Sequence, residues 1–199
     1  MQQLDFRPAT ATRHALKEWA VAVDSLRDGD SLVTVRKGGI RESGREFRMD
    51  HRVFAFFPTF EHQNADQIGP RYQERLRRVI AEAPDAGFTT VTAWAEVTDA
   101  LEVTSDEAVR AIAEFSVFSP AYAVERLQWR PKKPLHVLVL RVYRLAEPVR
   151  LEILPAYGGC KSWIELEPEI ALDPSRPALD DAAFEAARGS ILARLPVSG

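Results

Sequence analysis

The 199-residue sequence contains few of the residues that build disulfide frameworks and metal sites, with one cysteine and four histidines. A single cysteine excludes an intrachain disulfide and is typical of proteins from reducing compartments. No apolar run approaches the roughly 18 residues that a membrane-spanning helix needs. Residues 1–5 also lack the basic start and apolar block of a signal peptide. These absences predict a cytoplasmic protein without a membrane partner.

Charge is unevenly distributed along a chain whose formal net charge is only −3. Six basic and three acidic residues lie between Arg36 and Arg52, and seven basic residues and one acidic residue lie between Arg126 and Arg150. Such clusters indicate an anionic partner if they share one face of the fold. Clusters on separate faces would only keep the surface solvated.

The apolar periodicity predicts helices and strands without regular alternation. Helices are predicted over 10–28, 70–83, 104–115, 119–128 and 180–195. Strands are predicted over 31–36, 47–57, 89–97, 135–145, 149–154 and 162–166. We therefore expect an α+β fold, a single compact domain over residues 1–199 with a mixed or mostly antiparallel sheet and peripheral helices. Residues 167–199 are expected to form a C-terminal helical appendage.

Three short runs combine glycine or proline with charged or nucleophilic side chains at the ends of predicted strands, at 36–42, 58–63 and 157–163. Loops held by a rigid scaffold commonly carry function. We therefore expect the three runs to converge on one concavity.

The first run predicts an anion-binding turn. Gly38 and Gly39 allow backbone N–H groups to approach a phosphate, and Arg36, Lys37 and Arg41 supply positive charge. The spacing matches neither a Walker loop nor a dinucleotide fingerprint. A hairpin turn that requires glycine would give the same pattern.

The third run supplies a second candidate phosphate contact through Lys161 and Ser162. Cys160 lies beside Lys161, whose ammonium group favours the thiolate. A lone cysteine is nevertheless more often a small buried residue than a nucleophile.

Arg141 lies in a predicted strand that is largely apolar on both faces, so we expect it to be at least partly buried. A buried guanidinium needs either a carboxylate or an anionic ligand. The candidate internal partners are Glu18, Glu42 and Glu61.

His51, Glu61 and His62 are candidate catalytic groups. A carboxylate that orients an imidazole can act as a general base, and the same groups can ligate a metal. His51 alternatively lies on the apolar face of its strand as a core histidine. The sequence has no H-E-x-x-H or C-x-x-C spacing. We therefore assign no metal to these residues and identify no cofactor.

Several short runs are specific as a set: ALKEW at 15–19, RKGGIRE at 36–42, FPTFEHQ at 57–63, AWAE at 93–96, LRVY at 140–143 and YGGCKSW at 157–163. In these runs the chain resembles the bacterial domain-of-unknown-function family 1802. The resemblance extends over residues 15–166. It implies kinship and no particular activity.

Three functions fit these features. The leading hypothesis is a protein that binds an anionic ligand, nucleic acid or a nucleotide, in a basic cleft. Trp129 supports it, because an aromatic residue before the basic segment 130–133 suits single-stranded nucleic acid. The alternatives are a phosphoesterase or nuclease-like enzyme that uses His and Glu with or without metal, and a non-catalytic regulatory or scaffold protein.

Overall fold

The computed structural model describes residues 9–37, 41–43, 46–48, 51–61, 63–129, 135–159 and 161–195, with the backbone alone for 41–43 and 46–48. Within these ranges the chain forms one large sheet, one two-stranded sheet and five α-helices. No helix in them is long and apolar enough to span a membrane.

The strands are β1 Ala11–Trp19, β2 Val33–Lys37, β3 Arg41–Ser43, β4 Glu46–Arg48, β5 Val53–Thr59, β6 Phe88–Val103, β7 Leu135–Glu152, β8 Trp163–Ala171 and β9 Ser175–Pro177. The α-helices are α1 Ala20–Asp28, α2 Gln73–Ala81, α3 Asp106–Ala111, α4 Pro120–Gln128 and α5 Asp181–Arg194. Short 3₁₀ segments lie at Ala65–Gln67, Pro70–Tyr72, Ala113–Phe115 and Pro155–Tyr157.

The large sheet has seven strands in the order β2–β7–β6–β5–β1–β8, and β9 pairs with β7. The β1–β5 pair is parallel. The other described pairings in this sheet are antiparallel. The α+β class and the mixed, mostly antiparallel sheet are therefore confirmed.

The predicted helix over 10–28 is wrong in its first half. Residues 11–19 form β1, which lies between β5 and β8, and the helix begins only at Ala20. Ala15 and Leu16 are fully buried on opposite faces of this internal strand, so sheet pairing overrides the helical spacing of the apolar residues. The predicted end is correct, because Gly29 closes α1 at a φ of 82°.

Other predicted boundaries also differ from the structure. The predicted strand over 47–57 is divided, since β4 ends at Arg48 and β5 begins at Val53. The predicted strands over 135–145 and 149–154 are one continuous strand, β7. The predicted start at Ser119 is confirmed, whereas the helix predicted over 104–115 spans only Asp106–Ala111, with Ser105 as its N-cap. Each serine hydroxyl accepts a hydrogen bond from a backbone N–H three residues later.

The core lies on both faces of the sheet. On one face α1 packs through Val23 and Leu26 against β5, β6 and β7. The end of the sheet formed by β2 and β7 is covered by α3, α4 and α5. The 167–195 stretch completes β8 and supplies β9 and α5, and Phe184 and Ile191 of α5 are buried in this core.

Candidate functional site

A cavity of about 760 Å³ lies where β1 and β5 end side by side. Because these strands are parallel, their last residues, Trp19 and Thr59, emerge at the same edge of the sheet. The end of β2, the turn before β6 and the segment before β8 supply the other walls. The volume falls within the range of small-molecule sites, roughly 300–1,000 Å³.

The floor of the cavity contains a buried ion pair. Glu18, which is 5% exposed, accepts hydrogen bonds from Arg36 Nη2 at 2.6 Å, from the Thr34 hydroxyl at 2.7 Å and from the Trp19 backbone N–H at 2.9 Å. Arg36 Nε is buried and has no hydrogen-bond partner among the described residues.

A second cation fixes the loop before β8. The Lys17 ammonium donates to the carbonyl oxygens of Tyr157 at 2.8 Å and Gly159 at 3.0 Å. Gly159 has a φ of 77°, a conformation that favours glycine, and this turn presents its carbonyl to Lys17. The Tyr157 side chain is buried, and its hydroxyl accepts the Glu167 N–H at 2.8 Å. The loop that carries Lys161 is therefore held by hydrogen bonds to its backbone carbonyls and by the buried side chain of Tyr157.

Aromatic side chains form one wall. The Trp19 ring contacts Phe118 at 5.4 Å and Tyr122 at 6.0 Å between centroids, and Phe118 contacts Tyr122 at 4.9 Å. Burial raises the pKa of the Tyr122 phenol, so it keeps its proton at neutral pH and can donate a hydrogen bond. Phe57, Phe60 and Phe88 also line the cavity.

The rim carries charged groups of both signs. Arg126 and Lys161 line the cavity, and neither forms an ion pair with a carboxylate in the part of the chain that the structure describes. Glu61 lies on the same rim. Asp85 is there as well but pairs with Arg150 at 2.8 Å. The uncompensated positive charge therefore lies at Arg126 and Lys161.

A model of the family described as "Domain of unknown function (DUF1802)" matches residues 15–190. The chain belongs to the DUF1802 family. No curated protein sequence gives a significant match. Two solved structures are similar, both mutant forms of ZmASCH from Zymomonas mobilis. One has a TM-score of 0.44 and 9% identity, covering 79% of this chain and 91% of that chain. The other has 0.43 and 10%, covering 77% and 89%.

The cavity of this DUF1802 chain collects residues from all three predicted runs. Arg36 comes from the first run, Glu61 from the second, and Lys161 and Ser162 from the third. Lys37 does not line the cavity and donates a hydrogen bond to the Leu127 carbonyl. Gly38, Gly39, His62, Cys160 and the Arg41 side chain lie outside the described residues.

Arg141 is placed away from the cavity. It is 7% exposed, and its Nη2 donates to Asp181 Oδ1 at 2.5 Å and its Nη1 to the Asp180 carbonyl at 3.3 Å. The predicted burial is confirmed. The predicted partners Glu18 and Glu61 are wrong, because the acid comes from the first turn of α5, and the Glu42 side chain lies outside the described residues. Nothing in the sequence of β7 indicates that the partner of Arg141 lies in α5, 40 residues later in the chain.

His51 is also distant from Glu61. It precedes β5, whereas Glu61 follows it, and the seven-residue strand between them is about 20 Å long at roughly 3.3 Å per residue. The His51 ring stacks on His14 at 3.6 Å and meets Trp163 edge-on at 5.8 Å. The described residues contain no group of three or more His, Cys, Asp or Glu side chains that could hold a metal.

Sequence reasoning missed several residues of the site. Lys17, Trp19, Tyr122 and Arg126 line the cavity without belonging to the three runs. The sequence contains one signal for Lys17, which is its position beside Glu18 in the largely apolar run ALKEW. Charged side chains in a buried strand need polar partners, so this pair indicates contacts with other segments.

Proposed function

We propose that this DUF1802 protein binds a nucleotide unit in the cavity, either as a free nucleotide or as one nucleotide of a nucleic-acid strand. The observation that carries the proposal is the juxtaposition of an aromatic wall with the uncompensated cations Arg126 and Lys161 around one cavity. A nucleotide combines a planar aromatic base with an anionic phosphate. It therefore matches both halves of the lining.

The aromatic wall supports the base half of the proposal. Stacking of a base on an aromatic side chain contributes about 1–3 kcal/mol. Trp19, Phe118 and Tyr122 are held against one another, so their rings are already ordered before a ligand arrives. Preordered side chains reduce the entropy that binding costs.

The charged rim supports the phosphate half. A hydrogen bond to a charged group contributes about 1.5–3 kcal/mol, more than a neutral one. Arg126 offers a planar fork of donors and Lys161 a compact ammonium, the two side-chain types that usually hold phosphate. The fastened 157–159 loop keeps Lys161 near the cavity.

Isothermal titration calorimetry with nucleoside monophosphates, the corresponding nucleosides and inorganic phosphate tests the proposal. The monophosphate should bind more tightly than the nucleoside or inorganic phosphate, because only the monophosphate contacts both the aromatic wall and the charged rim. Arg126→Gln and Lys161→Gln should each weaken monophosphate binding by about tenfold to a hundredfold. Arg77→Gln is the matched control, since Arg77 is exposed on α2 and does not line the cavity. Equal losses in all three variants, or no monophosphate binding by the wild type, would refute the proposal.

The same samples test the enzymatic alternative. Glu61 is the one proposed catalytic group that the described residues place on the cavity rim. If the protein cleaves a phosphate ester, Glu61→Gln should lower the rate at least tenfold, whereas His51→Phe should preserve it. Turnover that survives Glu61→Gln but is lost in His51→Phe would place the reaction outside this cavity.

A further inference from the structure

The face of α4 that lines the cavity continues beyond it. Tyr122, Arg126 and Trp129 follow the i, i+4, i+7 spacing that places side chains on one side of a helix. Tyr122 and Arg126 line the cavity, whereas Trp129 follows the last residue of α4. The Arg126 guanidinium carbon lies 4.9 Å from the centroid of the Trp129 ring. Arg126 therefore connects the cavity to an aromatic side chain outside it.

Trp129 is 44% exposed, which makes it one of three large hydrophobic residues that are exposed in the described ranges. Apolar surface of this size is costly to leave in water. An exposed aromatic ring beside a guanidinium is typical of a platform for a flat and partly charged ligand such as a nucleobase.

A second cation reaches the C-terminal end of α4. Lys37 donates to the carbonyl of Leu127, which neighbours Arg126. Burial and the positive charge of Arg126 lower the pKa of Lys37. Neither cation pairs with a carboxylate in the ranges that the structure covers. Two close positive charges repel each other, and a phosphate between them would offset that repulsion.

The spacing of these groups matches a short strand. Trp129 lies seven positions after Tyr122, a rise of about 10 Å at roughly 1.5 Å per residue. Nucleotides in a stacked strand rise by about 3.4 Å each. The distance therefore corresponds to about three nucleotides.

We infer that the ligand is single-stranded nucleic acid, with one nucleotide in the cavity and the adjoining strand running over Arg126 and Lys37 to a second stacking subsite at Trp129. This inference rests on the proposed function and adds its substrate class. Bases can stack on aromatic side chains only when they are unpaired, so a duplex would not engage Trp129.

The test uses fluorescence anisotropy competition with oligonucleotides of one to six nucleotides, as RNA and as DNA, and with a duplex of the same sequence. Affinity should rise with length up to about three nucleotides and then level off, and the duplex should bind more weakly. Trp129→Ala should weaken trinucleotide binding by roughly tenfold more than it weakens mononucleotide binding. Trp129→Phe should retain most of the affinity. The control Ile80→Ala removes another exposed apolar side chain, on α2, and should change neither.

The outcomes separate the two proposals. Failure of every nucleotide to bind overturns the proposed function and this inference with it. Mononucleotide binding without a gain from length, or a gain that survives Trp129→Ala, overturns only the inference. Equal affinity for the duplex and the single strand also overturns only the inference. A difference between the RNA and DNA arms identifies which strand the site prefers.

Discussion

Arg36 Nη2 and Glu18 Oε2 are 2.6 Å apart although their strands, β2 and β1, are separated by three others in the sheet. In a flat sheet strands four positions apart would lie about 19 Å from each other, at roughly 4.8 Å per strand. The contact therefore requires strong curvature at this end of the sheet, and the cavity lies over the curved end. The ion pair is both the floor of the candidate site and a connection across the sheet.

Glu18→Gln should destabilise the fold substantially. The substitution keeps the shape of the side chain but leaves the guanidinium of Arg36, whose side chain is 13% exposed, without its counter-charge. Breaking a buried ion pair from one side costs about 3–5 kcal/mol. We expect a loss of that size in the free energy of unfolding, measured by urea titration.

The control for this change is Glu82→Gln, which removes a carboxylate from the exposed pair between Arg78 and Glu82. An exposed pair is worth about 0–1 kcal/mol. Losses of equal size in the two variants would mean that the Glu18–Arg36 pair does not connect the sheet.

Arg141→Met should affect the fold mildly and leave ligand binding unchanged. The partner carboxylate of Asp181 is 99% exposed, so removing Arg141 leaves no buried charge behind. What is lost is an ion pair of about 0–1 kcal/mol and the contact of the guanidinium with the Phe184 ring, 4.6 Å away, of about 1–2 kcal/mol. A thermal melt and a nucleotide titration on the same sample check this. A loss of nucleotide affinity at unchanged stability would place Arg141 in a ligand site.

The sequence predicts local features better than long-range ones. The helix starts at Ser105 and Ser119 depend on residues within one turn, and the structure has both. The strand β1 depends on pairing with β5 and β8, far along the chain, so its apolar spacing was misread as a helix. Leu16, Val23 and Leu26 nonetheless contact the same core, although Leu16 lies on β1 and the other two on α1.

In the candidate site, too, local features are easier to predict from the sequence than long-range contacts. Glycine-containing and proline-containing strand ends marked Arg36, Glu61, Lys161 and Ser162, which the structure brings to one cavity. The partners of buried charges were not predictable, because Glu18 meets Arg36 only through the curvature of the sheet and Arg141 meets Asp181 only through the docking of α5.

The docking of α5 should depend on pH through Asp99. Arg188 on α5 donates hydrogen bonds to both oxygens of the Asp99 carboxylate on β6, from Nε at 2.6 Å and from Nη2 at 2.7 Å. These hydrogen bonds lower the pKa of Asp99 below its ordinary 3.8. A carboxyl with a lowered folded-state pKa contributes stability above its unfolded pKa and loses it as the pH falls through the folded value. The contribution should therefore be constant at neutral pH, begin to fall near the ordinary value of 3.8 and be lost as the pH falls through the lower folded value.

Urea unfolding of the wild type and Asp99→Asn over a pH series measures this contribution as the difference between the two proteins. We expect a difference of about 1 kcal/mol at neutral pH, since the Arg188 side chain is 31% exposed. It should shrink on acidification, while the effects of the other carboxylates cancel. A difference that grows as the pH falls, or that does not shrink at any acidic pH, would contradict the assignment.

Lys17→Met should weaken nucleotide binding through the loop rather than by direct contact. The ammonium holds the carbonyls of Tyr157 and Gly159, and methionine keeps the apolar stem while removing both hydrogen bonds. We expect amide hydrogens at 158, 159, 161 and 162 to exchange faster and nucleotide affinity to fall about tenfold, which corresponds to about 1.4 kcal/mol.

Because Lys17 faces carbonyl oxygens, the slope of log affinity against log salt for Lys17→Met should match that of the wild type. Lys161→Gln, which removes a proposed phosphate contact, should reduce that slope by about 0.7 with single strands. A reduced slope in Lys17→Met would mean that Lys17 contacts the phosphate itself, and unchanged exchange with unchanged affinity would mean that the loop holds its position without it.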